Sequence, residues 1–323
     1  MTPFLMEMAW LVLKGVMALT FIAVSAMFLI WLERKVSARI QNRVGPMITG
    51  FHGALQSVAD TVKLLLKENI VPTGADFWVW WLAPFFVAVP AIMVFVCMPF
   101  GPSAIVCDLN VGILFMCSVT SVSVLGIFMA GWGSSNKYSL LGGMRSAAQI
   151  ISYEVPLLLS ILVVVMEAGT LSMQGIVHAQ EAGWFFLKPN LLVAFIIYII
   201  SATAEVNRVP FDIPEAESEL VAGYHTEYSG MKFAMFFVAE YTNFFIIAGI
   251  AATLFLGGWL GPLAPSPVWF LLKAYGIIFF LMWVRWTLPR LRMDQMMSFA
   301  WKGLTPVALL NVLVTGWLLV IKG

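Results

Sequence analysis

The chain is 323 residues long, 61% of them hydrophobic and only 11% charged, with 18 Lys and Arg against 17 Asp and Glu. Soluble domains carry roughly 25% charged residues, so this composition, with a mean hydropathy of +0.93, excludes a soluble globule and describes an all-α polytopic membrane protein. A net charge of +1 with no basic block or stripe excludes nucleic acid as a partner.

A bilayer core about 30 Å thick needs roughly 20 apolar residues of helix. That ruler predicts eight transmembrane helices, over residues 8–32, 77–98, 111–132, 146–167, 191–204, 233–258, 268–287 and 305–321. The first has a cleavage-like Val24-Ser25-Ala26, but its leading end carries Glu7 and no basic residue, so it reads as a retained span. The fifth is the shortest.

The connections at 33–76, 132–145, 205–232 and 286–304 fall on one side. Arg34, Lys35, Arg39, Arg43, Lys63, Lys67, Lys137, Arg145, Arg208, Lys232, Arg285, Arg290, Arg292 and Lys302 lie there or at its margin, fourteen basic residues against only Lys188 and Lys322 opposite. The positive-inside rule therefore puts these connections in the cytoplasm and both termini outside. Within the first connection, apolar residues at 51, 54, 55, 58, 62, 65 and 66 alternate with Gln56, Asp60 and Lys63 at helical spacing. This predicts an amphipathic cytoplasmic-side helix lying on the membrane surface or over a cavity. No internal repeat or low-complexity linker stands out, so residues 1–323 read as one integral membrane domain.

Cys97, Cys107 and Cys117 form no C-x-x-C pair, and His52, His178 and His225 stand apart. A zinc, haem or Fe–S site is therefore not expected in this chain; electrons in any redox reaction would travel on something else.

Carboxylates are the conspicuous polar feature. Acids inside a span cost about 2.5 to 3.5 kcal/mol on insertion scales and normally face protein or water. Glu154 and Glu240 lie nine and eight residues inward from Arg145 and Lys232, which places them about 12 to 14 Å deep; Glu205 is shallower. Beside them, PFDIPEAESELVAGYHTEYSG places Asp212, Glu215, Glu217, Glu219 and Glu227 within 16 residues. Two readings are open. The run is a solvated helix start, where Pro214 and first-turn acids are favoured, or it is a row of coupled carboxylates that hold and pass protons. In the first loop, Glu33, Arg34, Arg39 and Arg43 either set topology or form a polar mouth for a large amphiphile, with Arg34 and Arg43 pairing to acids such as Asp60. Phe233 and Phe237, at i and i+4, could line such a cavity or simply pack.

The strings ERKVSARIQNRVGP, GWGSSNKYSLLGGMRSAAQIISYEVPL, AEVNRVPFDIPEAESELVAGYHTEYSGMKF and LPRLRMDQMMSFAWKGLTP closely resemble the H-subunit family of proton-pumping NADH:quinone oxidoreductase, respiratory complex I. The resemblance runs through almost the whole chain. It implies a membrane subunit, part of an enzyme but without a redox centre, that forms much of a quinone-binding chamber at the junction of the peripheral and membrane arms. Quinone is then the substrate, with no metal, flavin, haem or Fe–S cluster bound here. The implied partners are peripheral-arm subunits that complete the quinone site, small and antiporter-like membrane subunits, and the lipid bilayer, in a bacterial inner membrane. By position in the matched motifs, Glu33, Arg34, Arg43, Asp60, Phe233, Phe237 and Arg285 would line the chamber or its entrance. Glu154, Glu205, Asp212, Glu215, Glu217, Glu219, Glu227 and Glu240 would couple quinone reduction to proton translocation.

Two other function classes remain in view. A related anchor subunit of a membrane-bound hydrogenase or formate hydrogenlyase would share the fold without needing quinone, although NRVGP and the acidic string look closer to the quinone-linked branch. A free-standing channel or transporter fits less well with large polar loops that look built to dock partners.

Overall fold

The computed structural model describes residues 3–214, 217–262 and 265–322, and no strand occurs among them. Helix α1 runs from Pro3 to Ile40. The predicted span stops at residue 32, where charges begin, but Glu33, Arg34 and Lys35 are good helix formers. The helix therefore continues until Asn42 turns left-handed at φ 53°. At about 57 Å, its 38 residues exceed a bilayer core and carry Glu33 and Arg34 along one rigid rod.

The amphipathic segment resolves into a 3₁₀ turn at Phe51–Gly53 and α2 at Gln56–Leu66. Val58, Val62 and Leu65 remain exposed, as on a helix that rests on a membrane or a partner. Helix α3 (Phe77–Met93) ends in a 3₁₀ turn, and α4 spans Gly112–Gly133.

Helix α5 runs from Lys137 to Ala168, starting nine residues before the predicted 146. Asn136 explains the early start, since its side chain accepts from the Tyr138 amide at 2.9 Å and caps the first turn. At the other end Gly169, at φ 68°, donates its amide to the Val165 carbonyl and closes the helix. A Cβ on Gly142 would lie 2.8 Å from the Gly223 Cα, and one on Gly131 would lie 3.1 Å from the Gly143 Cα. Glycine thus allows α5 to approach both α4 and the third loop at backbone distance.

The short α6 (Met173–His178) precedes α7 (Pro189–Glu205), and α8 (Glu217–Leu220) is one turn in the third loop. Helices α9 (Gly230–Phe255) and α10 (Pro267–Thr287) follow. The fourth connection is mostly helical too: α11 (Met293–Ser298) runs through a π-helical turn at Phe299–Leu304 into α12 (Thr305–Lys322).

Among the described residues, seven helices are long and apolar enough to cross a membrane. The fifth predicted span, α7, is apolar but only 17 residues long, so the expected count of eight stands at seven by length. Helix α9 is the most buried of the seven. It packs against α1, α3, α7 and α10, while α5 joins α4, α7 and α12. Of the carboxylates singled out in the sequence, Glu154 lies on α5, Glu240 on α9 and Glu205 at the end of α7.

Candidate functional site

Helix α7 ends at Glu205, and the turn after it is fixed by α5. The buried Gln149 donates to the carbonyls of Ala204 and Phe211, both at 2.7 Å, and Asn207 donates to the Ser146 hydroxyl at 3.0 Å. Asn207 itself is left-handed at φ 54°, a conformation asparagine tolerates better than most residues.

This clamp directs Arg208 back into the bundle. Its guanidinium lies 2.9 and 3.1 Å from the two Glu33 oxygens on α1 and 2.9 Å from Glu240 on α9. It also stacks over Tyr241 and Phe244 at 4.7 and 5.0 Å. Arg285 of α10 also contacts Glu33, at the Oε1 that Arg208 meets. Two guanidiniums and two carboxylates from four elements thus form one largely buried network in which formal charge balances. Such a network is held by mutual satisfaction, because removing one partner leaves a desolvated charge.

The deeper acids line two small cavities. Glu240 and Glu205 face a cavity of about 50 Å³ with Thr120, Ser123, Asn207 and Asn243. Glu205 and Glu154 line a second, of about 30 Å³, with Cys117, Thr120 and Tyr198. A water needs at least about 10 to 15 Å³ of such space and two or more polar partners, so each cavity has room for one or more. Glu205 lines both, and Glu154 accepts a hydrogen bond from Ser121.

The loop acids are arranged differently. Asp212 pairs with Arg290 at 3.1 Å, Glu219 with Arg145 at 2.7 Å, and Glu227 accepts from Asn136 at 2.6 Å. The stretch itself contains no lysine or arginine, but arginines from α5 and from the segment after α10 supply the counter-charges. Hydrogen bonding and charge from Arg145 hold the Glu219 carboxyl below the usual carboxylate range, and its side chain faces solvent. Glu215 lies outside the described residues, as does the side chain of Glu217. In the same loop burial pushes His225 down to about 4, so its imidazole is neutral at pH 7.

At the predicted mouth, Arg34 pairs with Asp60 at 2.6 Å, and Gln56 of α2 donates to the same carboxylate at 3.0 Å. Arg43 does not join them: its Nε donates to Gln41 at 2.6 Å, because the chain turns away at Asn42. Phe233 stacks on Phe237 at 5.9 Å, Phe237 meets Tyr241 at 5.1 Å, and His225 meets Phe233 at 5.5 Å. An aromatic row therefore leads along α9 from the loop to the ring beneath Arg208. Among the described residues, no group of three or more His, Cys, Asp or Glu could hold a metal ion.

Sequence reasoning placed Arg208 and Arg290 only among the cytoplasmic basic residues, without their acidic partners, and missed Gln149, Ser121 and Asn136. Arg208 carried a usable signal, a cation three residues beyond an intramembrane glutamate. The others lie 55 to 91 residues from the groups they bond, except Ser121, 33 away, and no local pattern announces them.

Comparison with known proteins identifies the family. The NADH dehydrogenase family profile matches residues 13–316. The H subunit of NADH-quinone oxidoreductase from Dehalococcoides mccartyi is 52% identical over 92% of this chain and 83% of its own length. An H subunit of the same enzyme from Geobacter metallireducens is 49% identical over the full length of both chains, and that of Carboxydothermus hydrogenoformans is 48% identical over 98% and 91%. The chain belongs to the NADH dehydrogenase family, in the group formed by the H subunits of NADH-quinone oxidoreductase.

Proposed function

We propose that this chain is the multi-pass membrane subunit of an NADH:quinone oxidoreductase, where it forms the membrane side of the quinone chamber and passes the effect of quinone reduction to proton translocation. The observation that carries the coupling is the double placement of Glu205, which lines both the Glu240 cavity and the Glu154 cavity.

In this reading α1, α2, α9 and α10 frame the chamber. Glu33, Arg34, Asp60 and Arg285 supply its polar groups, Phe233 and Phe237 an apolar wall, and Arg43 lies at the outer entrance. Reducing quinone to quinol takes up two electrons and two protons, and transient negative charge in a low-dielectric site acts strongly on nearby groups. Glu33 is the chamber acid nearest the coupling side, and it shares Arg208 with Glu240. A change in charge or position at Glu33 alters how much of the guanidinium is available to Glu240. Proton affinity then shifts along Glu240, Glu205 and Glu154, and the group titrates as a unit. Asp212, Glu215, Glu217 and Glu227 belong to the cytoplasmic end of this path, where protons enter or leave, while Glu219, paired with Arg145, ties the loop to α5.

Peripheral-arm subunits complete the chamber and bring the electrons; small and antiporter-like membrane subunits receive the coupling signal. Counting α7 as a crossing, about 25 Å long, gives eight spans. An even number is needed to keep all four basic connections on one side, which places them in the cytoplasm and the termini outside a bacterial inner membrane.

A native gel of mildly solubilised membranes, probed for this chain and stained for NADH dehydrogenase activity, tests the assignment. Co-migration with inhibitor-sensitive NADH:quinone activity is expected. Migration with hydrogenase activity alone, or as a small free species, would overturn it.

A further inference from the structure

An apolar groove of about 750 Å³ lies between α7 and α10, away from the charged network. Ile196 and Ile200 form one wall, and Leu272, Gly276 and Phe280 the other. Ile196, Leu272 and Phe280 are exposed. From Lys273 to Leu288 the groove follows α10 for about 22 Å. Lys273 closes one end by donating to the carbonyls of Leu256, Gly258 and Leu260.

The other end opens on a polar cluster. Pro210, Phe211 and Leu288 still line the groove; two residues past Leu288 stands Arg290, paired to Asp212 next to Phe211. The Leu291 amide joins the two segments by donating to the Pro210 carbonyl at 3.1 Å. Directly beyond lies a 320 Å³ hollow lined by Arg145, Arg290 and Arg292 together with Glu219 and Asp294. Arg292 and Asp294 are 3.6 Å apart and more than 80% exposed, a pair loose enough to open at little cost.

We propose that this groove and hollow are one binding site for a zwitterionic membrane phospholipid of the phosphoethanolamine class. Its acyl chains occupy the α7–α10 groove, its phosphate meets Arg292, and its ammonium meets Asp294. Charge complementarity selects the headgroup. Each arginine in the hollow is matched by a carboxylate, so a purely anionic head finds no surplus of positive charge, whereas a head bearing both signs satisfies both partners.

The site is tested with the full chain in its purified complex, in nanodiscs of phosphatidylethanolamine or of phosphatidylglycerol, by mass measurement of retained lipid. Gly276→Trp fills the groove from a position where a Cβ meets nothing within 4 Å, and Ile196→Trp fills it from the facing wall. The expected result is one retained phosphatidylethanolamine per chain, preferred at least tenfold over phosphatidylglycerol and lost in whichever tryptophan variant assembles. The double charge swap Arg292→Glu with Asp294→Arg should retain binding better than Arg292→Glu alone. Equal retention in the wild type and the filled variants, a preference for phosphatidylglycerol, or photo-crosslinking from position 276 to a protein subunit rather than lipid would overturn the proposal.

Discussion

Arg208 stands between Glu33 and Glu240, with a guanidinium nitrogen 2.9 Å from an oxygen of each. One cation thus joins the proposed quinone side of the molecule to the proposed proton side. Replacing it with glutamine leaves two carboxylates in a poorly solvated place, a loss of about 3 to 5 kcal/mol for a buried pair. Arg208→Gln is expected to lower the thermal midpoint of the complex and to reduce quinone reduction at least tenfold. Arg208→Lys should rescue little, since a point ammonium cannot fork between two carboxylates. Wild-type turnover in Arg208→Lys would show that the bridge is not required.

Glu219 differs from the membrane acids, and the difference can be measured. Its carboxyl is held below the ordinary range by Arg145 and faces solvent. A depressed carboxylate pKa contributes stability above the unfolded value, near 4.3, which is lost as pH falls through the folded value. Around neutral pH Glu219 stays ionised and exchanges no proton. Glu219→Gln should therefore keep coupled activity within about twofold at pH 7 and change behaviour only in acid; a tenfold loss at pH 7 would place Glu219 in the relay itself.

His225 gives the third loop an acid limit. Burial holds the imidazole near 4, below its unfolded value of about 6.5. The unfolded loop therefore binds more protons between those values, and stability is lost as pH drops from about 6.5 towards 4. Hydrogen-exchange protection factors of residues 221–229, taken relative to the intrinsic amide rate at each pH, should fall over that window in the wild type and much less in His225→Phe, which keeps the ring contacts to Tyr224 and Phe233. Identical pH profiles in the two proteins would remove His225 as the cause.

The half-exposed pair of Arg34 and Asp60 joins α1 to α2, and exposed pairs contribute only about 0 to 1 kcal/mol. Asp60→Asn should leave the thermal midpoint within a few degrees while raising the apparent KM for quinone several-fold, because the mouth loses its fixed acid. An unchanged KM with a large loss of stability would make the pair purely structural.

Much of this architecture was legible in the sequence because membrane helices announce themselves through continuous apolar length. The sequence also pointed to the acids, since Glu154, Glu205 and Glu240 are expensive where they lie. It was silent on partners that fold from a distance. The early start of α5 depended on Asn136 and on glycines that fit only against Gly131 and Gly223. The counter-charges for Asp212 and Glu219 came from Arg290 and Arg145, 78 and 74 residues away. The shared place of Glu205 needed α4, α5, α7 and α9 to assemble before either cavity existed.

That shared place is the centre of the account, and Glu205→Gln in the assembled complex, reconstituted in vesicles, tests it most directly. The substitution keeps the size and hydrogen-bonding capacity of the side chain and removes its proton exchange. The expected result is normal assembly and normal NADH oxidation by an artificial acceptor, with quinone reduction and proton pumping falling together at least tenfold. Full quinone reduction with undiminished pumping would contradict a proton path through Glu205.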